Sequence, residues 1–432
     1  MNASPHLIRA LACSALITLY AAATPGSMAS PASQVVSQNA GAIADNPSNP
    51  FTTRRVATFD HPWAMAFLPD GRLLITEKPG RLFLTTTDGH KTEVQGPPKV
   101  YDRGQNGLLD IAVSPDFEHD AQVYFTYVAP ESGGGVLTLA RARLLTSPRQ
   151  TALDDLHILW RQQPASRGGQ PGGIIAFSPN GQHLFLTVGD RMEPDAAQDP
   201  DAARGKILRM NLDGSAPADN PMAGQGGIRA LTWTSGHRNP YGLAFAPNGQ
   251  LWEDEMGPRG GDELNLIIRG KNYGWPVVSN GDQYDGTPIP RHSTHPEFEA
   301  PRVYWTSVIA PAGLAFYQGT QFPAWQGSAL IGGLVSRGLV RIAFEPGGNA
   351  RQVDRWPLDA RIRDVAVAPN GTVWVIEDGS NAGLMKLVPK PTLAQHTVDA
   401  SFFDVRRGPV PQRWLPSYLL HFLSCSNLLP DV

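Results

Sequence analysis

Hydrophobic positions in this chain recur as one short hairpin written six times. Each copy opens with a small apolar strand, passes a Pro-Asp/Asn-Gly-type turn, and continues into a strand rich in aromatic and β-branched residues. The copies occupy residues 66–77 (AFLPDGRLLITE), 112–127 (AVSPDFEHDAQVYFTY), 176–188 (AFSPNGQHLFLTV), 244–255 (AFAPNGQLWEDE), 315–333 (AFYQGTQFPAWQGSALIGG) and 366–377 (AVAPNGTVWVIE). Asp-Gly or Asn-Gly between apolar strands is a strong hairpin signal, because both central residues of a type I′ turn need positive φ. Four of the six copies carry it; the second has Phe117 in place of the glycine, and the fifth is degenerate.

The copies begin 46 to 71 residues apart. That period suits a four-stranded blade with variable outer loops. The expectation is an all-β chain, a six-bladed β-propeller with four-stranded antiparallel blades. A two-sheet sandwich is the competing architecture, but it does not explain six copies of one hairpin. With no convincing long amphipathic helix in the body, and strands running to about Pro389, a single propeller domain is expected over residues 51–389.

Composition agrees with many tight turns. The 432 residues include 44 Gly and 39 Pro, and only 17% are charged. The net charge of -3 gives no electrostatic footprint for nucleic acid or acidic lipid. At the N-terminus, Arg9 followed by the apolar run 11–23 reads as an export signal ending near Ala29, too short for a membrane span. Residues 1–29 are therefore expected to be a signal peptide, with a periplasmic or secreted product. Cys13 lies inside that run, so cleavage leaves Cys425 without an intramolecular disulfide partner. Residues 30–50 are polar and read as a flexible leader. The tail 390–432 contains the apolar segment 414–429, broken by Pro416. It suits a cover on the propeller, a membrane-surface segment or a disordered tail, and is again too short to span a bilayer.

Propellers bind ligands at the mouth of the central channel, on loops between and within blades. The unusual loops here fall beside the repeats: 104–107 (GQNG), 167–173 (RGGQPGG), 189–191 (GDR), 236–242 (GHRNPYG) and 361–364 (RIRD). Arg361 and Arg363, spaced i and i+2, share one face of a strand. Together with Arg238 they suit a ligand with several carboxylates, held by bidentate hydrogen bonds; a strand-face salt bridge with Asp364 or a neighbour is the bland alternative. Gly257-Pro258 could present adjacent carbonyls to a hard cation, with Asp262 and Glu263 just beyond, although such a pair is more often simply a turn. No His/Cys cluster with zinc spacing, phosphate-cradling Gly loop or G-x-S-x-G elbow is evident.

These motifs, in this order, resemble the soluble aldose sugar dehydrogenases that use pyrroloquinoline quinone (PQQ), the glucose/sorbosone dehydrogenase group. The resemblance covers about residues 62–389. Its most specific blocks are 104–117, 205–221, 236–245, 256–266, 271–276 (KNYGWP) and 361–365 (RIRDV). It implies PQQ lying flat on the axial face, with Gln105, Arg238, Asn239, Arg361 and Arg363 at cofactor-contacting positions. It implies a calcium ion held by the main-chain carbonyls of Gly257 and Pro258, and a second, structural calcium matched by Glu263 and Tyr273. Asp190 matches a polar position near the site. The implied reaction is oxidation of a sugar's anomeric hydroxyl to the lactone, by hydride transfer to the quinone, followed by re-oxidation by an external electron acceptor.

The chain departs from that pattern at its catalytic position. The family usually has His-x-Gly-Gly-Arg before the third repeat, with the His as base. Here Gln170 stands at the His position and Ile174 at the Arg. A neutral amide cannot take up a proton near neutral pH, and loss of a positioned base typically costs about 10²–10⁴-fold in rate. Asp190 is the candidate replacement base, and Arg337 the nearest cation to the family's fifth-blade Lys. Two alternatives accompany the dehydrogenase reading: a PQQ- and calcium-binding propeller with weak or no oxidation, and a calcium-dependent lactonase. The Arg361/Arg363 pair argues against the lactonase, which needs no tricarboxylate clamp.

Overall fold

In the computed structural model, residues 37–391 are described, with Pro148 excepted. They form six antiparallel sheets arranged as a six-bladed propeller. The inner strands, in chain order, are Pro62–Phe67, Leu108–Val113, Gly172–Phe177, Pro240–Phe245, Pro311–Phe316 and Ile362–Val367. Each expected hairpin is the first and second strand of one blade. The sixth blade takes its outermost strand from the other end of the chain: Phe51–Phe59 pairs antiparallel with Ala382–Pro389. That pairing closes the ring, so one cooperative unit holds both ends of the propeller. The expected signal peptide and nearly all of the tail lie outside the described residues. The segment expected as a flexible leader is in contact from Ser37 onward. Gln38–Asn39 adds a parallel fifth strand to blade four, Ala40 is fully buried, and Asn46 bonds Asp354 (2.9 Å).

The hairpin turns differ from the expected type I′. Gly71, Gly181, Gly249 and Gly371 have positive φ, but the Asp or Asn before each does not. The glycine N–H bonds back three residues in every case, as from Gly71 to the Leu68 carbonyl (2.9 Å). This is a type I turn closed by a left-handed glycine. Proline explains it: its φ is locked near −65°, which fits the second position of type I and excludes the positive φ of I′. The Asp or Asn then caps the turn from its side chain, as Asp70 Oδ1 accepts from Arg72 N (3.0 Å).

All six inner strands shift register near the channel, each by a bulge. The bulges turn Asp110, Ile174, Gly242, Gly313 and Asp364 toward a cavity of about 170 Å³, roofed in part by Trp63, Tyr241 and Arg363. Asp110 Oδ2 accepts from Ile175 N of the next blade (2.7 Å), and Asp364 Oδ2 from Met65 N of its next blade (2.8 Å). These carboxylates tie neighbouring blades together. Burial is the largest influence on both, pushing Asp110 up to about 7 and Asp364 up to about 8, against the pull of their backbone donors. Asp254 is fully buried and neither of its oxygens is hydrogen-bonded; burial holds it well above the carboxylate range.

A pH effect on stability follows. In the unfolded chain these acids ionise near pH 4, whereas the folded chain keeps their protons several units higher. Between those values the folded state binds more protons, so stability falls as pH rises and levels off above the folded pKa. From about pH 6.5 to 8 Lys206, depressed by burial to about 8, begins to lose its proton in the folded state and offsets part of that fall toward the top of the window. The melting temperature of the metal-free protein should fall across that window by a few degrees, about 2 kcal/mol from Asp110 and Asp364 together. A flat or rising profile in scanning calorimetry would contradict this assignment.

Candidate functional site at the channel mouth

The mouth is built around Arg238. Its guanidinium is nearly buried and lies over the Trp275 ring, 5.3 Å from Cζ to centroid. Nη1 donates to the carbonyls of Met256 and Gly257, both at 2.9 Å. The Glu255 carboxylate accepts from the backbone N–H groups of Arg238 (2.5 Å) and Asn239 (3.3 Å), so the Arg-Asn pair is fixed from below. Asn239 is buried, with Oδ1 lacking a partner. The turn carrying Gly257 is held by Asp262, whose Oδ1 accepts from Gly257 N (3.0 Å) and whose Oδ2 accepts from Ile309 N and Ala310 N (2.8 and 2.7 Å). Asp262 is thus committed to positioning the turn. A Cβ on Gly257 would meet the Gly260 carbonyl oxygen at 2.3 Å, so only glycine fits that tight return.

Gln170 and Asp190 meet at this guanidinium. With the amide oriented by its neighbours, Gln170 Oε1 accepts from Arg238 Nη2 (2.8 Å) and Nε2 donates to Asp190 Oδ1. Asp190 also accepts from Met192 N (2.9 Å) and from Trp275 Nε1 (2.9 Å). Burial, the dominant influence, pushes Asp190 up to about 6 in spite of those donors and the Arg238 charge. Gln105 Oε1 accepts from Gln170 N (2.5 Å) and from the Tyr241 hydroxyl (3.4 Å), so it joins the same cluster. Gln170, Arg191 and Met192 have φ of 53°, 60° and 65°. Such left-handed non-glycine residues cost about 1 kcal/mol or more each and persist where surroundings hold them.

Arg361 and Arg363 both bind Asp378, Arg361 Nε to Oδ2 (2.8 Å) and Arg363 Nη2 to Oδ1 (2.8 Å). Arg361 precedes the inner strand and Arg363 lies in its bulge, so strand alternation is not what brings them together. The partner is not Asp364, which faces the channel. Arg363 also lies on the Trp63 ring, 4.5 Å from Cζ to centroid. Two guanidiniums on one carboxylate leave a net positive charge. Arg337 is exposed, with φ of 53°, and its guanidinium is tied to the Asp359 carbonyl next to Arg361.

Beneath Arg238 lies an acidic pocket that sequence reasoning largely missed. Glu253, Glu255 and Glu263 are all buried, and Asn265 Nδ2 reaches each of them, at 3.0, 3.4 and 3.3 Å. His237 Nδ1 lies 3.2 Å from Glu255 Oε1, and its Nε2 faces the Thr234 hydroxyl at 2.9 Å. His237 is fully buried and engaged on both ring nitrogens, and its ligand atoms lie within 4.8 Å of those of Glu253 and Glu255. Burial and mutual repulsion raise Glu253 and Glu263 well above the carboxylate range. Glu253 Oε1, Asn265 Oδ1 and His292 Nδ1 have no hydrogen-bond partners. Oxygen-rich, negative and under-satisfied, this donor set fits a hard cation. The Tyr273 hydroxyl is spent within its own loop, on the Leu266 carbonyl and Ile268 N. Its main-chain carbonyl lies 3.0 Å from His292 Nε2, and its ring stacks on His237, 4.7 Å between centroids. The alternation Glu253-x-Glu255 on one strand was the available signal, since i and i+2 side chains share a face. Trp275 lies within the KNYGWP block, and Asp378 carries no local signal at all.

Fold and mouth together define a six-bladed propeller with a preorganised, arginine-centred polar site on its axis. The sequence profile of the Glucose / Sorbosone dehydrogenase family matches residues 59–386, and the chain belongs to that family. It is 36% identical over 340 residues to the aldose sugar dehydrogenase YliI of Escherichia coli (strain K12), covering 77% of this chain and 91% of that protein. It is 29% identical over 433 residues to quinoprotein glucose dehydrogenase B of Acinetobacter calcoaceticus, covering 78% and 89%. The solved PQQ-bound aldose sugar dehydrogenase of Streptomyces coelicolor superposes with a TM-score of 0.64 at 27% identity, covering 79% of this chain and 99% of that one. Among the described residues no helix is long and apolar enough to cross a membrane.

Proposed function

We propose that this protein is an exported, PQQ- and calcium-dependent aldose dehydrogenase that oxidises the anomeric hydroxyl to the lactone, with Asp190 as proton acceptor. The observation that carries the reading is the single cluster of Gln105, Gln170, Asp190, Arg238 and Trp275, in a chain similar to a quinoprotein and to a PQQ-bound dehydrogenase. When bound, PQQ supplies the electrophilic quinone that accepts hydride, and calcium polarises it. Gln105, Arg238, Asn239, Arg361, Arg363 and Arg337 would hold the cofactor, with the arginines meeting its carboxylates. Gly257 and Pro258 would offer carbonyls to the metal. Glu263 and the Tyr273 carbonyl, with Glu253 and Glu255, would take a second, structural cation.

The chain's own residues divide the remaining work. Trp275 and Met192 N fix the Asp190 carboxylate, and burial keeps its pKa near neutrality, where an acid-base group is most useful. The Gln170 amide orients Asp190 against Arg238 but takes no proton itself. Asp190 is 1% exposed, behind Gln170. That observation favours a second reading: a cofactor-binding propeller with weak chemistry, because substrate must displace the Gln170 amide to reach the carboxylate.

The test adds calcium and PQQ to purified apoprotein. Cofactor binding is followed by absorbance, and dye reduction is followed with a panel of aldoses. The expected result is saturable PQQ binding that needs calcium, with turnover of at least one aldose. Binding without turnover would leave only the second reading, and absence of PQQ binding would defeat both.

A further inference from the structure

Residues 268–302 form a long insertion between the third and fourth strands of blade four. It brings Trp275 to the mouth and then closes into a tight tip. At that tip, Asp282 exchanges both backbone hydrogen bonds with Arg259 (3.0 Å each), Gln283 N donates to the Thr287 carbonyl (2.9 Å), and Arg291 binds the Asp282 carboxylate (2.6 Å). The tip presents Tyr284, which is 68% exposed. Its ring faces the Arg238 guanidinium, 5.8 Å from centroid to Cζ, on a cation otherwise nearly buried. Arg238 Nη2 donates to the Tyr284 hydroxyl (3.2 Å), and the same nitrogen donates to Gln170.

We propose that Tyr284 is a sugar-contacting residue at the mouth and sets which aldoses are taken; this rests on the dehydrogenase reading above. A large aromatic ring held out in solvent by a tied tip forgoes burial, so a ligand that covers it gains what folding left unused. A pyranose fits: one face carries C–H groups that pack on an aromatic ring, and its rim carries hydroxyls. Because the phenol oxygen accepts from Arg238, its own hydrogen remains to be donated, and no acceptor among the described residues takes it. That donor shares the Arg238 guanidinium with Gln170, so a sugar bound on the ring lies beside the amide that covers the proton acceptor. Trp275 cannot serve in this way: its indole N–H is committed to Asp190 and the Arg238 guanidinium lies over its ring.

The experiment compares the holoprotein with Tyr284→Ala and Tyr284→Phe, measuring kcat, KM for several aldoses, PQQ affinity by absorbance, and melting temperature. Tyr284→Ala should raise KM about tenfold, unequally among aldoses, with kcat, PQQ affinity and melting temperature nearly unchanged. Tyr284→Phe should fall between the two. An unchanged KM in Tyr284→Ala would overturn the proposal. So would a loss confined to PQQ affinity, which would make the ring a cover for the cofactor. If the parent oxidises no aldose, the dehydrogenase reading fails separately. Saturation-transfer NMR with the same aldoses then decides: a contact seen in the parent and lost in Tyr284→Ala sustains the sugar platform, and no contact in the parent ends it.

Discussion

Replacing Asp190 by asparagine is expected to lower aldose turnover by about 10²–10⁴-fold, the usual cost of a lost general base, with PQQ affinity nearly unchanged. The substitution keeps the shape of the side chain and one acceptor oxygen, but its amide nitrogen must face either Trp275 Nε1 or the Met192 N and Gln170 donors, so a melting curve and a PQQ titration of the variant accompany its turnover. In the parent, kcat/KM should rise with pH through about 6, because Asp190 must be ionised to accept a proton and burial lifts its pKa to that value. The asparagine variant should lose that rise. Gln170→His makes the complementary change. An imidazole there would stand between Asp190 and Arg238, as Gln170 does now, and would add a base that substrate reaches without displacing an amide. Turnover should increase, by about tenfold or more if exposure of the base limits the parent. If Asp190→Asn turns over as fast as the parent, the proton goes elsewhere and the assignment fails.

What could be read from the residues, and what could not, follows from how local each signal is. The hairpins are legible because strand alternation, joined in four of the six by a Pro-Asx-Gly turn, is encoded within about a dozen residues. The turn type differs from the Asn-Gly expectation because proline's fixed φ selects type I over type I′. Ring closure by Phe51–Phe59 was not legible, since that strand pairs with residues more than 300 positions away. Arg238, Gln170 and Asp190 were each singled out in sequence, and they do meet. Their meeting depends on Trp275, delivered by an insertion whose path no local pattern encodes. The same holds for Asp378, whose role as the common partner of Arg361 and Arg363 comes from the sixth blade's own strand pairing.

The Arg361–Arg363 pair makes the second large expected effect. Arg363→Ala should weaken PQQ binding by about 10- to 100-fold, since a charge-assisted hydrogen bond to a carboxylate is worth about 1.5–3 kcal/mol. Arg363 is the better target of the two because its side chain is 11% exposed, against 45% for Arg361, so a ligand charge beside it is less screened by water. Its guanidinium is also pre-oriented, flat on Trp63 and anchored on Asp378. Asp378 neutralises only one of the two cations, and the remaining charge is what an anionic ligand would meet. If that is correct, Asp378→Asn should tighten PQQ binding, because the same two guanidiniums then lack a competing carboxylate. A merely structural salt bridge predicts the opposite for Asp378→Asn: lower stability and no gain in affinity. Absorbance titration of PQQ, beside a melting curve for each variant, separates the two. Equal PQQ affinity in the parent and Arg363→Ala would remove the pair from the cofactor site.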